Sequence, residues 1–291
     1  MRFTATRIIG IAVLALSIFF YLTNPSAGVY LLLAMSLVFL FAPEKYGEQQ
    51  WKNLLSSFDF KNISLITLFD LVFWFVLILS AFLVYEKATL IFEATLAKAN
   101  PNVAQTLDPA QMDSTSSLIV KFFLYSGLIS IGFIVINLLS YTLSRSLLWT
   151  SLLKKKFNAK VYLKFLSFNV LWWSLWTVIL IFLAFKRAPE VIAVFTIVFI
   201  CLYSHTSTVA HYHLAKTNKI KETFAKSFSI AYGKLHLFIL PYSFILLIYF
   251  ILSKAILYIP LGSFASTANL ILLLLIMNMG RAYLKNVMDE I

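Results

Sequence analysis

Residues 63–85 read ISLITLFDLVFWFVLILSAFLVY, an unbroken apolar run with one charged residue, Asp70. As a helix it would be about 35 Å long, enough to cross a hydrocarbon core about 30 Å thick. It is apolar on every side, which suits a helix in lipid or at the centre of a very large core. The whole chain decides between the two. Across 291 residues, 61% are hydrophobic and 12% charged, with mean hydropathy +0.88. A soluble protein is about a quarter charged, and one this apolar would lack the polar side chains to cover its surface. The expected fold is therefore an all-α, polytopic transmembrane helical bundle.

On either side of this run, further apolar stretches occupy residues 8–22, 28–42, 118–140, 165–185, 191–209, 235–257 and 264–279, giving about eight spans. The first two are short and joined by a tight Thr23-Asn-Pro-Ser-Ala turn, so they form either a tilted full hairpin or a shallow one. A cleaved signal peptide is the rival reading, because Arg2 and Arg7 precede the first run. Pro25 stands where a cleavage site wants a small residue, and a second apolar run comes at once after it, which favours the hairpin. The chain thus divides into residues 1–62, an N-terminal hairpin and cytoplasmic linker, and residues 63–291, a six-helix membrane domain.

An even number of spans puts both termini on one side of the bilayer. Of the 24 Lys and Arg residues, 18 fall on the side of the termini and 6 on the other. Positive charge in short loops marks the cytoplasm, so both termini are expected there, in the cell membrane. Losing the first hairpin would not alter the orientation of the other six spans.

Two connections are more than turns. Residues 86–117 are expected to form an exterior helical hairpin, broken at Asn100-Pro101 and Asp108-Pro109, with Asp113-Ser-Thr-Ser-Ser capping the fourth span. On the other side, Lys154-Lys-Lys-Phe-Asn-Ala-Lys precedes Val161 and Phe165, while Lys219-Ile-Lys-Glu precedes Phe224, Phe228 and Tyr232. A shift of 63 places Lys156 on Lys219 and Phe165 on Phe228. Each segment reads as a basic amphipathic helix in the headgroup layer, repeated in the same orientation. Lys154, Lys155, Lys156, Lys219 and Lys221 are then expected to contact anionic headgroups on the cytoplasmic face.

The run Lys154-Lys-Lys-Phe-Asn, Leu163-Lys-Phe-Leu-Ser-Phe-Asn, the later Phe224-Ala-Lys-Ser-Phe-Ser with Pro241-Tyr242, and the closing Arg281-Ala-Tyr-Leu-Lys resemble prokaryotic, particularly archaeal, integral-membrane families of unknown function. They are similar to the membrane domain attached to some glycerophosphodiesterases. The resemblance covers about residues 141–291. It implies a six-helix membrane unit and no activity, since no phosphodiesterase catalytic domain accompanies it.

Among residues that could carry chemistry, Asp70 stands out because a carboxylate inside a span must face a partner, the bundle or water. It could bind a cation or relay protons. Alternatively it pairs structurally with Arg145 or Arg281, which lie at reachable depth, or hydrogen-bonds Asn137, Asn169 or Asn278. In the sixth span, Ser204, Ser207 or Thr208, and His211 share one helical face, with His205 close by. Asp70, Arg145, His205, His211 and Arg281 are the candidate substrate or ion pathway.

Other chemistry is poorly supported by the sequence. The four histidines lack the spacing and the companion carboxylate of a metal motif, and one cysteine, Cys201, makes no disulfide or thiolate metal site. No nucleophile elbow, Walker motif or dinucleotide fingerprint occurs, so neither a catalytic residue nor a cofactor is expected. The net charge of +12 lies where topology demands it, which argues against nucleic acid. The expected partners are the bilayer, anionic headgroups, and a membrane-protein partner or a second copy of the chain. The leading functional reading is non-enzymatic: a small-solute or lipid transporter, or a membrane scaffold. The alternative is an intramembrane lipid-modifying enzyme at the cytoplasmic leaflet using Asp70, His205 and His211.

Overall fold

The body of each apolar run becomes a helix in the computed structural model, which describes residues 5–23, 27–98, 109–184, 189–257, 259 and 262–291. Among these residues there are ten α-helices and no strand. They are α1 (Ala5–Thr23), α2 (Ala27–Phe41), α3 (Glu44–Ser56), α4 (Phe60–Lys98), α5 (Pro109–Leu152), α6 (Ala159–Ala184), α7 (Pro189–Thr217), α8 (Ile220–Gly233), α9 (His236–Leu257) and α10 (Ala265–Asp289). Five of them, α4, α5, α6, α9 and α10, are long and apolar enough to cross a bilayer. The pair α2–α3, bent by 116°, makes a sixth if counted as one span. This is an all-helical membrane protein.

The bend has a local cause. Pro43 disfavours helical geometry at Ala42, and its own ψ of 137° starts a new direction. Beyond the bend, α3 is a polar helix where the sequence suggested only a linker. It packs across α1, α9 and α10. A Cβ on Gly47 would lie 2.5 Å from Thr6 Oγ1, so only glycine lets α1 approach so closely. Tyr46 donates its hydroxyl proton to the Leu237 carbonyl, and Gln49 and Asn53 donate to Glu290 Oε1 at 2.6 and 3.0 Å.

Helices α1–α2, α4–α5 and α9–α10 pair as antiparallel hairpins, and α10 also touches α3, α4 and α7. Burial is concentrated toward one end of the bundle. There Ile66 of α4, Trp149 of α5, Phe168 and Trp172 of α6, Tyr212 of α7, Phe238 of α9 and Tyr283 of α10 are fully enclosed. Toward the other end Phe75 and Phe82 of α4 and Phe123 and Leu128 of α5 stand exposed. In water such a surface would be untenable; in lipid it is the ordinary exterior of a span.

Two expectations need correction. Helix α5 begins at Pro109 and continues through residues 113–117, so Asp113 and its serines lie inside the helix rather than capping its start. Proline is well placed at a first helical position, where its missing N–H has no partner to lose. The proposed break at Asn100-Pro101 lies outside the described residues. The two basic segments also differ in form. Residues 154–158 are non-helical and Val161 already belongs to α6, whereas Lys219 leads into a separate helix, α8. That helix is not merely laid on the headgroups. Phe224 and Phe228 pack on Trp172 with ring centroids 5.4 Å apart, and Thr223, Ser227 and Ala231 are buried.

Candidate functional site

Asp70 sits ten residues into α4, on the face turned toward α5 and α10, and is 1% exposed. Both carboxylate oxygens are engaged. Oδ1 accepts from Ser144 Oγ at 3.1 Å and pairs with Arg145 Nη1 at 3.1 Å. Oδ2 accepts from Asn278 Nδ2 at 3.1 Å and from Arg281 Nη1. Asn278 and Arg281 are three residues apart, which puts both on the same side of α10. Arg281 Nη1 also donates to Asn278 Oδ1 at 2.6 Å, and Asn278 Nδ2 reaches Thr67 Oγ1 at 3.3 Å. The Arg145 guanidinium rests on the Tyr141 ring, 5.0 Å from its centroid.

Three of the five candidate pathway residues therefore meet at one point: Asp70, Arg145 and Arg281. Of the three asparagines considered as carboxylate partners, Asn278 is the one in contact. Asn137 instead donates to Ser80 Oγ at 3.1 Å and Asn169 to Thr142 Oγ1 at 3.0 Å. His211 borders the cluster without joining it. Its Nε2 lies 2.8 Å from Asn169 Oδ1, its ring stacks on Phe165, and Tyr141 meets it edge-on at 5.9 Å.

His205 turns elsewhere. Six residues at about 100° each leave it roughly 120° around α7 from His211. Its Nε2 lies 3.0 Å from the Ala231 carbonyl of α8, which can only accept, so Nε2 carries the proton and Tyr242 donates its hydroxyl to Nδ1 at 2.7 Å. The polar strip on the same helix is divided. Ser207 accepts from Trp172 Nε1 at 2.8 Å in the core, while Ser204 and Thr208 face a cavity. This cavity, about 160 Å³, lies between α7, α9 and α10; Tyr242, Ile245, Gly280 and Arg281 complete its principal walls. Arg281 is thus shared between the ion cluster and the cavity.

The lysines have varied surroundings. Lys155 Nζ donates to the Ala215 and Lys216 carbonyls at 2.8 and 2.6 Å, satisfying the exposed end of α7. Lys219 pairs with Glu222 at 3.4 Å, and Lys154, Lys156 and Lys221 are exposed. A larger recess of about 470 Å³ opens beside this end of α7, with His213, Lys216, Lys226, Lys234 and Asp289 on its walls. Burial, aided by Lys226 and Lys216, pushes the His213 imidazole below its usual pKa. Hydrogen bonds from Lys226 and Lys219 hold the Glu222 carboxyl below the ordinary carboxylate range.

Sequence reasoning gave no role to Tyr242, which depends on a neighbour 37 residues away, or to Tyr46, Asn53 and Glu290, which join α3 to α9 and α10. Among the described residues no three His, Cys, Asp or Glu side chains gather as metal ligands. The chain matches no family model, no curated protein and no solved structure.

Proposed function

We propose that this is a multi-pass protein of the cell membrane, with about eight spans and both termini cytoplasmic, that binds and moves a small solute or lipid without chemically altering it. The observation that carries this reading is the position of Arg281. It links a buried ion cluster, which holds α4, α5 and α10 together, to a cavity between α7, α9 and α10. An ionic group shared by two helix interfaces and a cavity can couple occupancy of that cavity to helix packing, as a carrier requires. Lys154, Lys156 and Lys221 would meet anionic headgroups at the cytoplasmic surface, and the resemblance to prokaryotic membrane families supports the same setting. A scaffold for a membrane-protein partner or a second copy is the simpler version of this function.

The enzymatic alternative draws on the closeness of His211 to the cluster through Tyr141. It is weaker because both Asp70 oxygens already have cationic partners and His205 faces α8 and α9. Reconstitution into liposomes tests the choice. A carrier should give protein-dependent flux of a labelled solute or lipid that Asp70→Asn reduces at least about tenfold, which is about 1.4 kcal/mol. Absence of any flux, with Asp70→Asn fully active in cells, would remove transport. A covalently changed lipid recovered from the vesicles would favour the enzyme.

A further inference from the structure

Around Asp70 two guanidiniums confront one carboxylate, and no other Asp or Glu among the described residues pairs with either arginine. The cluster therefore carries one excess positive charge, largely withdrawn from water: the Arg145 and Arg281 side chains are 10% and 12% exposed. A charge in that setting is costly unless it is paired. Arg145 has the face of Tyr141 as partial compensation. Among the described residues Arg281 lies over no such ring. Its Nη1 serves Asp70 and Asn278, while Nε and Nη2 donate to no described residue. Its remaining fork is available to the 160 Å³ cavity.

We infer that this cavity is a binding site for an anionic head, the phosphate or carboxylate of an amphiphile, held by Arg281 and the Ser204 hydroxyl. A guanidinium fork matches such oxygens in both charge and shape. Ser204 Oγ has no partner among the described residues and stands on the wall of the same cavity. The volume admits a head rather than a whole lipid, since each liquid water occupies about 30 Å³. Ile245, Met277 and Leu284 supply apolar wall along which a chain would leave. This assignment rests on the proposed binding function and names its substrate class. The same chemistry could come from a lipid phosphodiester, a fatty-acid carboxylate or free phosphate.

The full-length protein would be placed in nanodiscs of equal phosphatidylcholine and phosphatidylglycerol, re-extracted, and its retained lipid measured by mass spectrometry. Separate phosphatidylcholine nanodiscs would receive oleate or inorganic phosphate, read by retention and by the thermal unfolding midpoint. Enrichment of phosphatidylglycerol or retention of oleate by about threefold or more identifies a lipid source; a raised midpoint with phosphate alone identifies the free ion. Either result supports the anion site, provided that Ser204→Phe, which fills the cavity from an exposed position, abolishes it without lowering the midpoint. Arg281→Gln should also abolish it, but removes an Asp70 partner; Ser204→Phe keeps the test independent of that change. No preference for any anion in the wild type, or undiminished preference in Ser204→Phe, overturns the proposal. Anion binding without flux would remove transport alone, and flux without anion preference would remove this inference alone.

Discussion

The asymmetry of the ion cluster makes a measurable claim about individual residues. Asp70→Asn leaves two buried guanidiniums without their counter-charge, and removing one member of such a pair costs about 3–5 kcal/mol. Arg145→Met instead leaves one carboxylate facing one guanidinium. It should therefore destabilise less than Asp70→Asn in chemical or thermal unfolding of the detergent-solubilised protein. Equal losses would mean that the excess charge is already neutralised. Lys154 offers a second test. It ends α5 at φ 52°, with Lys155 N–H donating to the Thr150 carbonyl at 2.8 Å and Lys154 N–H to the Ser151 carbonyl at 3.0 Å, a turn that normally selects glycine. Lys154→Gly should raise stability by about 0.5–1 kcal/mol, visible as a higher unfolding midpoint, because glycine adopts that backbone without side-chain strain.

Among the helices, α8 shows what periodicity could and could not reveal. Its basic, aromatic pattern marked a helix, and that much was legible. What the pattern did not indicate was the other side of the contact, because Trp172 and Trp176 stand about fifty residues earlier on α6. Phe228→Ala should accordingly cost about 1–3 kcal/mol, less than the loss of a fully enclosed ring, because Phe228 is only partly buried against the core. A loss near zero would return α8 to the headgroup layer. The ion cluster was partly legible for a related reason. Asp70 announced itself by its cost in lipid, and only two arginines lay at suitable depth. Which asparagine would join them depended on helix rotation, which a run apolar on all sides does not specify. The separation of His205 from His211, by contrast, follows from their six-residue spacing on one helix.

For the bundle in its entirety, charge asymmetry predicts which end faces the cytosol. Lys156→Cys in a Cys201→Ser background should react with a membrane-impermeant maleimide only after the cells are opened. Labelling of intact cells would invert the topology. The sequence carried the apolar runs because bilayer thickness acts on length alone. It did not carry the tilt of α3, which depends on Pro43 and on partners in α9 and α10. Nor did it reveal that burial gathers at one end of the bundle. That gathering has a mechanical consequence for α4. The rod is clamped at Asp70, about 15 Å from its beginning, and its other arm extends about 42 Å to Lys98. Rotation about that fulcrum would sweep the distant tip through nearly three times the arc of the near end, so a slight tug at the far tip would arrive at the start of the helix as a small, forceful displacement.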